Sequence, residues 1–301
     1  MNYSKQQKQH IANKIKDISL FVIDDEFAQL QALDVSECNS RCQIGNNVVD
    51  YFTFVERLEA KGKYNASFFD FLENLDEFKK KKFIANMLNY YATVKNKNGQ
   101  KNETKVLKEV YNICISAINI FRPLVAMEIY QRFQPHTVLD MCAGWGGRLV
   151  GAAALNVPRY IGIEINSDLK PGYDQMSAFL KERSTTQVEM RFESAASINY
   201  ADLPEYDMVL TSPPYYFLEK YANNEFYKDK EDMNERFYKP MIGGSFAHLK
   251  AGGHYCINVN AELYNNVFVP QLGQAQIVIP LKKSKRQNDY GENIYVWITA
   301  E

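Results

Sequence analysis

Apolar positions recur at helical spacing through roughly the first third of the chain. The stretches VVDYFTFVERLEA (48–60) and ASFFDFLENLDEFKKKKFIANMLNYYATV (66–94) place apolar residues three and four positions apart. This is the spacing of one buried face of an α-helix. Strand-like alternation is scarce here, and glycine is scattered. We therefore predict an α-helical region over residues 1–110.

From about residue 137 the pattern changes to short β-rich runs that alternate with helical stretches. Such alternation indicates a mostly parallel sheet covered on both faces. A short charged segment, KKSKRQNDYGEN (282–293), joins the last two runs and predicts a hairpin with one antiparallel edge. The predicted strands span 137–142, 159–164, 187–193, 206–211, 253–259, 275–281 and 293–299, and the predicted helices span 146–155, 168–182 and 227–249.

A polar segment, NKNGQKNETK (96–105), separates the two patterns. Its asparagines, glycine and charges are typical of a loop or linker. The sequence therefore predicts two domains, an α-helical domain over 1–110 and an α/β domain over 111–301.

Composition and charge exclude several classes of protein. Of the 301 residues, 46% are hydrophobic and 24% are charged, as in an ordinary globular protein. No apolar run approaches the ~20 residues of a membrane span, and the N-terminus lacks a signal-peptide core. We expect a cytoplasmic protein with reduced thiols. Cysteines and histidines do not fall at metal-ligand spacing, since Cys38 and Cys42 have no second pair, so no metal site is expected.

The stretch TVLDMCAGWGGRLVGAAAL (137–155) reads as a strand, a glycine turn and a helix. Asp140 ends the strand, and Gly144, Gly146 and Gly147 follow it. Glycines allow a tight turn and a close approach of ligand to backbone. A carboxylate at the strand end would repel a phosphate, so the loop suits a cofactor that carries positive charge.

The next strands add candidate ligands for a nucleoside. RYIGIEIN (159–166) contains a predicted strand that ends in Glu164, about 20 residues after the glycines, and Ile165 follows it. A carboxylate at this place can accept hydrogen bonds from both hydroxyls of a ribose. In RFESAASI (191–198), Ser194 is a weaker candidate for a position under an adenine ring.

The stretch DMVLTSPPYYFLEKY (207–221) is an apolar strand that stops at two prolines. Taken alone, it is either a strand that leads into an aromatic core loop or a catalytic tip. In an open α/β sheet, ligands lie beyond the carboxyl ends of the strands. There the Ser212 hydroxyl and the Pro213 carbonyl can accept the two hydrogens of an exocyclic amine, while Pro214 stiffens the loop. Tyr215 offers a ring on which a base can stack.

These motifs resemble those of class I S-adenosylmethionine-dependent methyltransferases, and within them the amino-methylating DNA methyltransferases. Asp140–Gly146 is similar to the glycine motif D-P-F-A-G-x-G, and Ser212–Tyr215 to the catalytic motif [D/N/S]-P-P-[Y/F/W]. The segment FRPLVAMEIYQRF (121–133) is similar to the family's proline-containing segment before the first strand. The closest resemblance is to viral and phage DNA-methylase-like proteins, and it covers about 115–300.

The resemblance implies a Rossmann-like α/β fold with a seven-stranded, mostly parallel sheet, S-adenosylmethionine as cofactor and DNA as partner. Ser194 departs from the acid that the family often has at this place. A serine before the two prolines is typical of N4-cytosine enzymes, whereas Asp or Asn is typical of N6-adenine enzymes. The implied cofactor residues are Phe121, Arg122, Pro123, Asp140, Ala143, Gly144, Gly146, Glu164, Ile165 and Ser194, and the implied catalytic residues are Ser212, Pro213, Pro214 and Tyr215.

Two basic segments are candidate contacts for nucleic acid on a chain whose net charge is only −1. Residues 79–108 hold nine lysines and one acid, and LKKSKR (281–286) is the second. We expect the helical region and loop 217–240 to recognise DNA, double-stranded with base flipping or single-stranded. The chain is expected to be a monomer or homodimer. Two alternatives stay open: methylation of RNA or of a protein glutamine, and a non-catalytic nucleic-acid-binding protein.

Overall fold

The first third of the chain is helical, as predicted. The computed structural model describes residues 3–35, 42–218, 220, 223, 225–281 and 292–300. A π-helical turn, Tyr91–Lys95, extends the sixth helix. The helices before residue 120 are α1 (Lys5–Ile15), α2 (Leu20–Ala32), α3 (Asn46–Glu59), α4 (Phe68–Glu73), α5 (Leu75–Lys79), α6 (Lys82–Tyr90) and α7 (Glu103–Cys114).

Short polar side chains fix where several of these helices begin. Ser4 and Ser67 each form a capping box, with Gln7 and Asp70 as the reciprocal partners. The side chain of Asn102 accepts a hydrogen bond from the backbone N–H of Lys105 at the start of α7. Such caps satisfy N–H groups that have no partner within the helix. Helix α7 therefore begins inside the polar segment that reads as a linker.

The rest of the chain alternates strands and helices around one sheet. Its helices are α8 (Pro123–Phe133), α9 (Gly147–Ala154), α10 (Lys170–Lys181), α11 (Lys230–Met233), α12 (Lys239–Ala247), α13 (Ala261–Leu263) and α14 (Val269–Leu272). Its strands are β1 (Thr137–Asp140), β2 (Arg159–Ile163), β3 (Gln187–Arg191), β4 (Tyr206–Thr211), β5 (Leu249–Asn260), β6 (Ile277–Pro280) and β7 (Glu292–Ile298).

Over the described residues the sheet has seven strands in the order β3-β2-β1-β4-β5-β7-β6. Neighbouring strands from β3 to β5 are parallel, and β7 is antiparallel to both β5 and β6. The predicted class I Rossmann-like α/β fold is confirmed. The predicted hairpin is confirmed as well, but the antiparallel strand β7 lies inside the sheet and β6 forms the edge.

Most boundaries agree with the predictions, and the differences have local causes. Strand β5 starts four residues before the predicted 253, because Leu249 already pairs with Tyr206 on β4, ahead of a register shift between Tyr206 and Met208. Gly252, at φ 69°, lies in this irregular stretch. Because Gly252 and Gly253 are typical of a turn, the sequence pattern did not indicate a strand here. Strand β1 ends at Asp140 rather than 142, because the backbone N–H of Cys142 turns to the Thr211 hydroxyl. The predicted helix 227–249 is α11 and α12 with a π turn, Asn234–Tyr238, between them.

Helices α2 and α3 share an apolar core with the sheet, whereas the other helices of the helical region pack around a core of their own. Phe27 and Phe52 each lie within 6 Å of the Phe179 ring, with centroid distances of 5.8 and 5.7 Å. The cluster that contains them extends to Val296 on β7. Helix α3 approaches α10 so closely that a Cβ on Gly172 would lie 2.4 Å from the Phe52 carbonyl oxygen. The division into domains 1–110 and 111–301 stays a prediction, and α2 and α3 pack on one face of the sheet through the shared core.

None of the helices that the structure describes is long and apolar enough to cross a membrane.

The close approach of α3 and α10 predicts that Gly172→Ala destabilises the chain by about 1–3 kcal/mol, because a backbone carbonyl cannot move aside without repacking the core. The matched control is Gly243→Ala in α12, where a new Cβ meets nothing within 4 Å. That control should be neutral or slightly stabilising, since alanine favours helix over glycine. Urea unfolding measures both. Equal stability of the two variants would contradict the docking of α3 on α10.

Candidate active site

A cavity of about 2460 Å³ opens along the carboxyl ends of β1, β2 and β4. Sites for single small molecules usually occupy about 300–1,000 Å³, so this cavity has room for more than one ligand group. Of the predicted site residues, those that line it are Phe121, Arg122, Ala143, Gly144, Glu164, Ile165, Ser194, Ser212, Pro213, Pro214 and Tyr215. Those that do not line it are Pro123, Asp140 and Gly146.

The glycine loop needs glycine at two positions for different reasons. Gly144 and Gly146 have φ values of 57° and 92°, which L side chains rarely adopt. A Cβ on Gly146 would lie 2.7 Å from Met176 Cε, so this glycine also allows close packing on α10. A Cβ on Gly144 would meet only the Cys142 carbonyl oxygen, at 3.8 Å. Gly144 therefore leaves its side of the loop open to the cavity.

Two hydroxyls hold this loop from outside. Tyr173 on α10 donates to the Gly144 carbonyl at 2.9 Å. Thr53 on α3 donates to the Trp145 carbonyl at 3.1 Å. The helical region thus fixes the backbone of the predicted cofactor loop directly, which no pattern in the sequence indicated.

Asp140 lies beneath the cavity, where protein groups hold its carboxylate. Arg148 Nε and the Tyr160 hydroxyl each donate to Asp140 Oδ2 at 2.6 Å. The Thr211 hydroxyl donates to Oδ1 at 2.8 Å and accepts from the Cys142 N–H at 3.0 Å. The sequence had assigned Asp140 to direct contact with a positively charged cofactor. In the structure its charge is met by Arg148, because the side chain is fully buried.

Glu164 is the acid that faces the cavity at the end of β2. Its Oε2 accepts the Gly144 N–H at 2.7 Å, and its Oε1 accepts the Asn166 N–H at 2.9 Å. Burial raises the pKa of this carboxyl to about 7, and the two backbone N–H groups oppose that rise. A carboxylate offers about four acceptor positions. Two of them remain for a pair of hydroxyls, so Glu164 and the open side of Gly144 fit the nucleoside half of S-adenosylmethionine.

The segment before α8 closes one end of the glycine loop. A Cβ on Gly147 would lie 1.8 Å from the Phe121 carbonyl oxygen, so the two backbones are in direct contact. The Phe121 ring lies 4.8 Å from the Arg148 guanidinium. Pro123 does not line the cavity, because it is buried at the first position of α8, where its fixed φ suits a helix start.

One buried amide on β5 organises the tip Ser212–Tyr215. The Ser212 hydroxyl donates to Asn258 Oδ1 at 3.2 Å, and the Tyr215 hydroxyl donates to the Asn258 carbonyl at 3.3 Å. Asn258 Nδ2 donates to the Asn293 carbonyl at 3.2 Å, which fixes the orientation of the amide. With its only hydrogen given to Asn258, the Ser212 oxygen presents lone pairs to a donor. Sequence reasoning missed Asn258, although a polar residue near the end of the apolar run CINVN was a usable signal.

The hydroxyl of Tyr238 also fixes the backbone of the tip Ser212–Tyr215. The Tyr238 hydroxyl donates to the Pro214 carbonyl and accepts the Tyr216 N–H at 3.2 Å. Tyr216 has φ 48°, a conformation that costs free energy for a non-glycine residue. The tip is therefore held in a defined turn by its surroundings.

The structure describes only part of the segments that were predicted to contact nucleic acid. Lys101, Lys105 and Lys108 line the cavity, whereas the other six lysines of segment 79–108 do not. In loop 217–240, Lys220 exchanges two backbone hydrogen bonds of 2.9 Å with Lys61. Residues 219, 221, 222 and 224 of this loop and residues 282–286 of LKKSKR lie outside the described part of the chain. Within the described part, no group of three or more His, Cys, Asp or Glu is placed to hold a metal ion.

No family model and no curated protein matches this chain. Among solved structures, TrmN from Thermus thermophilus has a TM-score of 0.42 at 16% identity, over 60% of this chain and 49% of that one. An rRNA methylase from Streptococcus thermophilus has a TM-score of 0.41 at 11% identity, over 60% and 99%. NSun6 from Pyrococcus horikoshii, solved with SFG, has a TM-score of 0.42 at 16% identity, over 61% and 53%.

The raised pKa of Glu164 predicts a pH dependence of stability. The folded carboxyl keeps its proton up to about pH 7, whereas the unfolded carboxyl loses it near pH 4.5. The folded state therefore binds more protons in this window, and its stability falls as pH rises, by up to about 1.4 kcal/mol per pH unit. Urea unfolding at several pH values should show this slope in the wild type relative to Glu164→Gln. Parallel pH profiles of the two proteins would contradict the burial of this carboxyl.

Proposed function

We propose that this chain is an S-adenosylmethionine-dependent methyltransferase that modifies an exocyclic amine of a base in DNA. Cytosine N4 is the preferred target and adenine N6 the next. The observation that supports this most is the placement of Glu164 and the tip Ser212–Tyr215 on one cavity, with Gly144 between them on an open loop.

The residues around Glu164 bind the cofactor. Glu164 accepts the ribose hydroxyls, and the loop at Gly144 lets the ligand lie against the backbone. When bound, S-adenosylmethionine supplies a methyl group activated by a positively charged sulfur. Phe121 and Arg122 line the same end of the cavity and help to exclude water, which protects an electrophile from side reactions.

The tip Ser212–Tyr215 orients the target amine. An exocyclic amine is a weak nucleophile because its lone pair is delocalised into the base. The Ser212 oxygen and the Pro213 carbonyl accept its two hydrogens and turn the lone pair toward the methyl group. The Tyr215 ring stacks on the base that carries it. As the new C–N bond formed, the bond between the methyl carbon and the cofactor sulfur would break, and S-adenosylhomocysteine would leave. The amine would then lose its proton to water, so the rate gain comes from orientation and not from a strong base.

Ser212 favours cytosine over adenine, by the resemblance to N4-cytosine enzymes. Its hydroxyl is held by the Asn258 amide, so the pair forms a neutral acceptor.

Substitutions at the tip should lower kcat without changing the affinity for the cofactor. Ser212→Ala and Tyr215→Ala should each lower kcat by about 100-fold or more, the usual size for loss of a positioned hydrogen-bonding group. The Kd for S-adenosylmethionine should stay within about twofold of the wild type, because neither residue holds the cofactor. Tyr215→Phe is the matched control: it keeps the stacking ring and should retain far more activity than Tyr215→Ala. Calorimetry and single-turnover kinetics measure the two quantities. An equal loss of cofactor binding would contradict the assigned roles.

The substrate class is tested by methyl transfer from labelled S-adenosylmethionine to DNA, RNA and protein in parallel. The account predicts label in DNA, and nucleoside analysis then distinguishes N4-methylcytosine from N6-methyladenine. Label confined to RNA or to protein glutamine would overturn the DNA assignment. Cofactor binding without transfer to any of the three would favour a non-catalytic nucleic-acid-binding protein.

A further inference from the structure

The cavity continues past the proposed cofactor loop into a basic pocket between α3 and α7. Its wall there includes Lys16, Asp50, Arg57, Lys108 and Asn112. These residues belong to the helical region that matches no family motif in the sequence. The pocket is contiguous with the space in front of Ser212, because both belong to the same cavity.

Lys108 is the most unusual cation of the pocket, because it is buried. Its Nζ donates to Asn112 Oδ1 at 2.6 Å. The ammonium lies 5.4 Å from the centroid of the Phe68 ring and 4.8 Å from that of Tyr111. Only 9% of the residue is exposed. Lysine is almost never buried to this degree without a charged partner, and the contacts of this ammonium are an amide oxygen and two rings.

The neighbouring cations are compensated by a single carboxylate. Asp50, buried on α3, pairs with both Lys16 and Arg57. Arg57 also donates to the Ile118 carbonyl at 3.0 Å, while its Nε is buried and has no hydrogen-bond partner in the described chain. Lys108 is also close enough to interact with the charge of Asp50, so three cations share this one buried carboxylate.

This excess of positive charge costs free energy in the unliganded protein. Burial is the main cause that lowers the pKa of Lys108 to about 7, and the charge of Arg57 adds to it, while Asp50 opposes it. A bound anion would offset the repulsion between Lys108 and Arg57. Phosphate oxygens suit both a guanidinium and an ammonium donor.

We infer that this pocket binds a backbone phosphate of the DNA strand whose target base reaches Ser212. The inference rests on the proposed function for the identity of the strand, and on the geometry for the phosphate. The cavity exceeds the space a single cofactor needs, so a strand has room to run from the pocket to the tip.

The other six lysines of segment 79–108 do not line the cavity, and two of them are also compensated by nearby acids. Lys79 and Lys80 pair with Asp76 and Glu77 within the same turn of chain. Exposed pairs of this kind contribute little to stability, but they compensate much of the local charge. Of the three lysines of the segment that line the cavity, Lys101 pairs with Glu109, whereas Lys105 and Lys108 form no ion pair within the described chain.

The test is the salt dependence of binding of a fluorescein-labelled single-stranded DNA oligonucleotide, measured by anisotropy, for wild type and Lys108→Met. Methionine keeps the length and apolar stem of lysine, so the pocket should still fold, and thermal unfolding checks this. Loss of one phosphate contact should reduce the slope of log K against log salt by about 0.7. Lys97→Met, at an exposed lysine outside the cavity, removes the same charge and should leave the slope unchanged.

Further variants and ligands distinguish a failure of the phosphate site from a failure of the proposed function. Lys105→Met, an exposed change on the same wall, should also reduce the slope. Equal slopes for Lys108→Met, Lys97→Met and wild type would overturn the phosphate site, whether or not methyl transfer is found. A reduced slope for Lys108→Met in a chain that transfers no methyl group to DNA would support the site and contradict the proposed function. Inorganic phosphate that binds with the affinity of the oligonucleotide would identify a free-anion site and overturn the strand assignment.

Discussion

The buried carboxylate of Asp140 is the contact on which the rest of the site depends. It receives hydrogen bonds from Arg148 on α9, Tyr160 on β2 and Thr211 on β4. Helix α9 follows the glycine loop, β2 leads to Glu164, and β4 leads to Ser212. Removing one partner of a buried ion pair typically costs about 3–5 kcal/mol, because it leaves an uncompensated charge. Thr211 also binds the Cys142 N–H, so one hydroxyl joins the two loops that face each other across the cavity.

The helical region extends this organisation outward. Thr53 on α3 binds the Trp145 carbonyl, and Gly172 lets α3 lie against α10. The same helix presents Asp50 and Arg57 to the basic pocket. One helix thus supports the glycine loop on one side and forms part of the wall of the proposed phosphate site on another. A substrate strand bound at α3 would therefore be placed relative to the cofactor by a rigid element and not by a flexible linker.

Local motifs were readable from the sequence, because their function depends on residues close together in the chain. Gly144 and Ser212 follow apolar runs, and Glu164 ends a strand at the expected spacing, so all three were predicted, and all three line the cavity. The partners of these residues were not predictable in the same way. Asp140 is 71 residues from Thr211, and Asn258 is 46 residues from Ser212. Only the strand order brings such pairs together, and hydrophobic pattern alone does not determine strand order. Lys108 was noticed as part of a lysine-rich segment, but its burial depends on Phe68 of α4 as well as on Tyr111 of its own helix, and the sequence did not show that α4 packs there.

The most direct test of the account is a crystal structure of the chain with S-adenosylhomocysteine. The account predicts that both ribose hydroxyls donate to the Glu164 carboxylate and that the ligand lies against the backbone at Gly144. Its sulfur should face the tip Ser212–Tyr215, while Asp140 keeps its bonds to Arg148 and Thr211. A ligand bound elsewhere, or bound here with Glu164 in contact with no hydroxyl, would contradict the account.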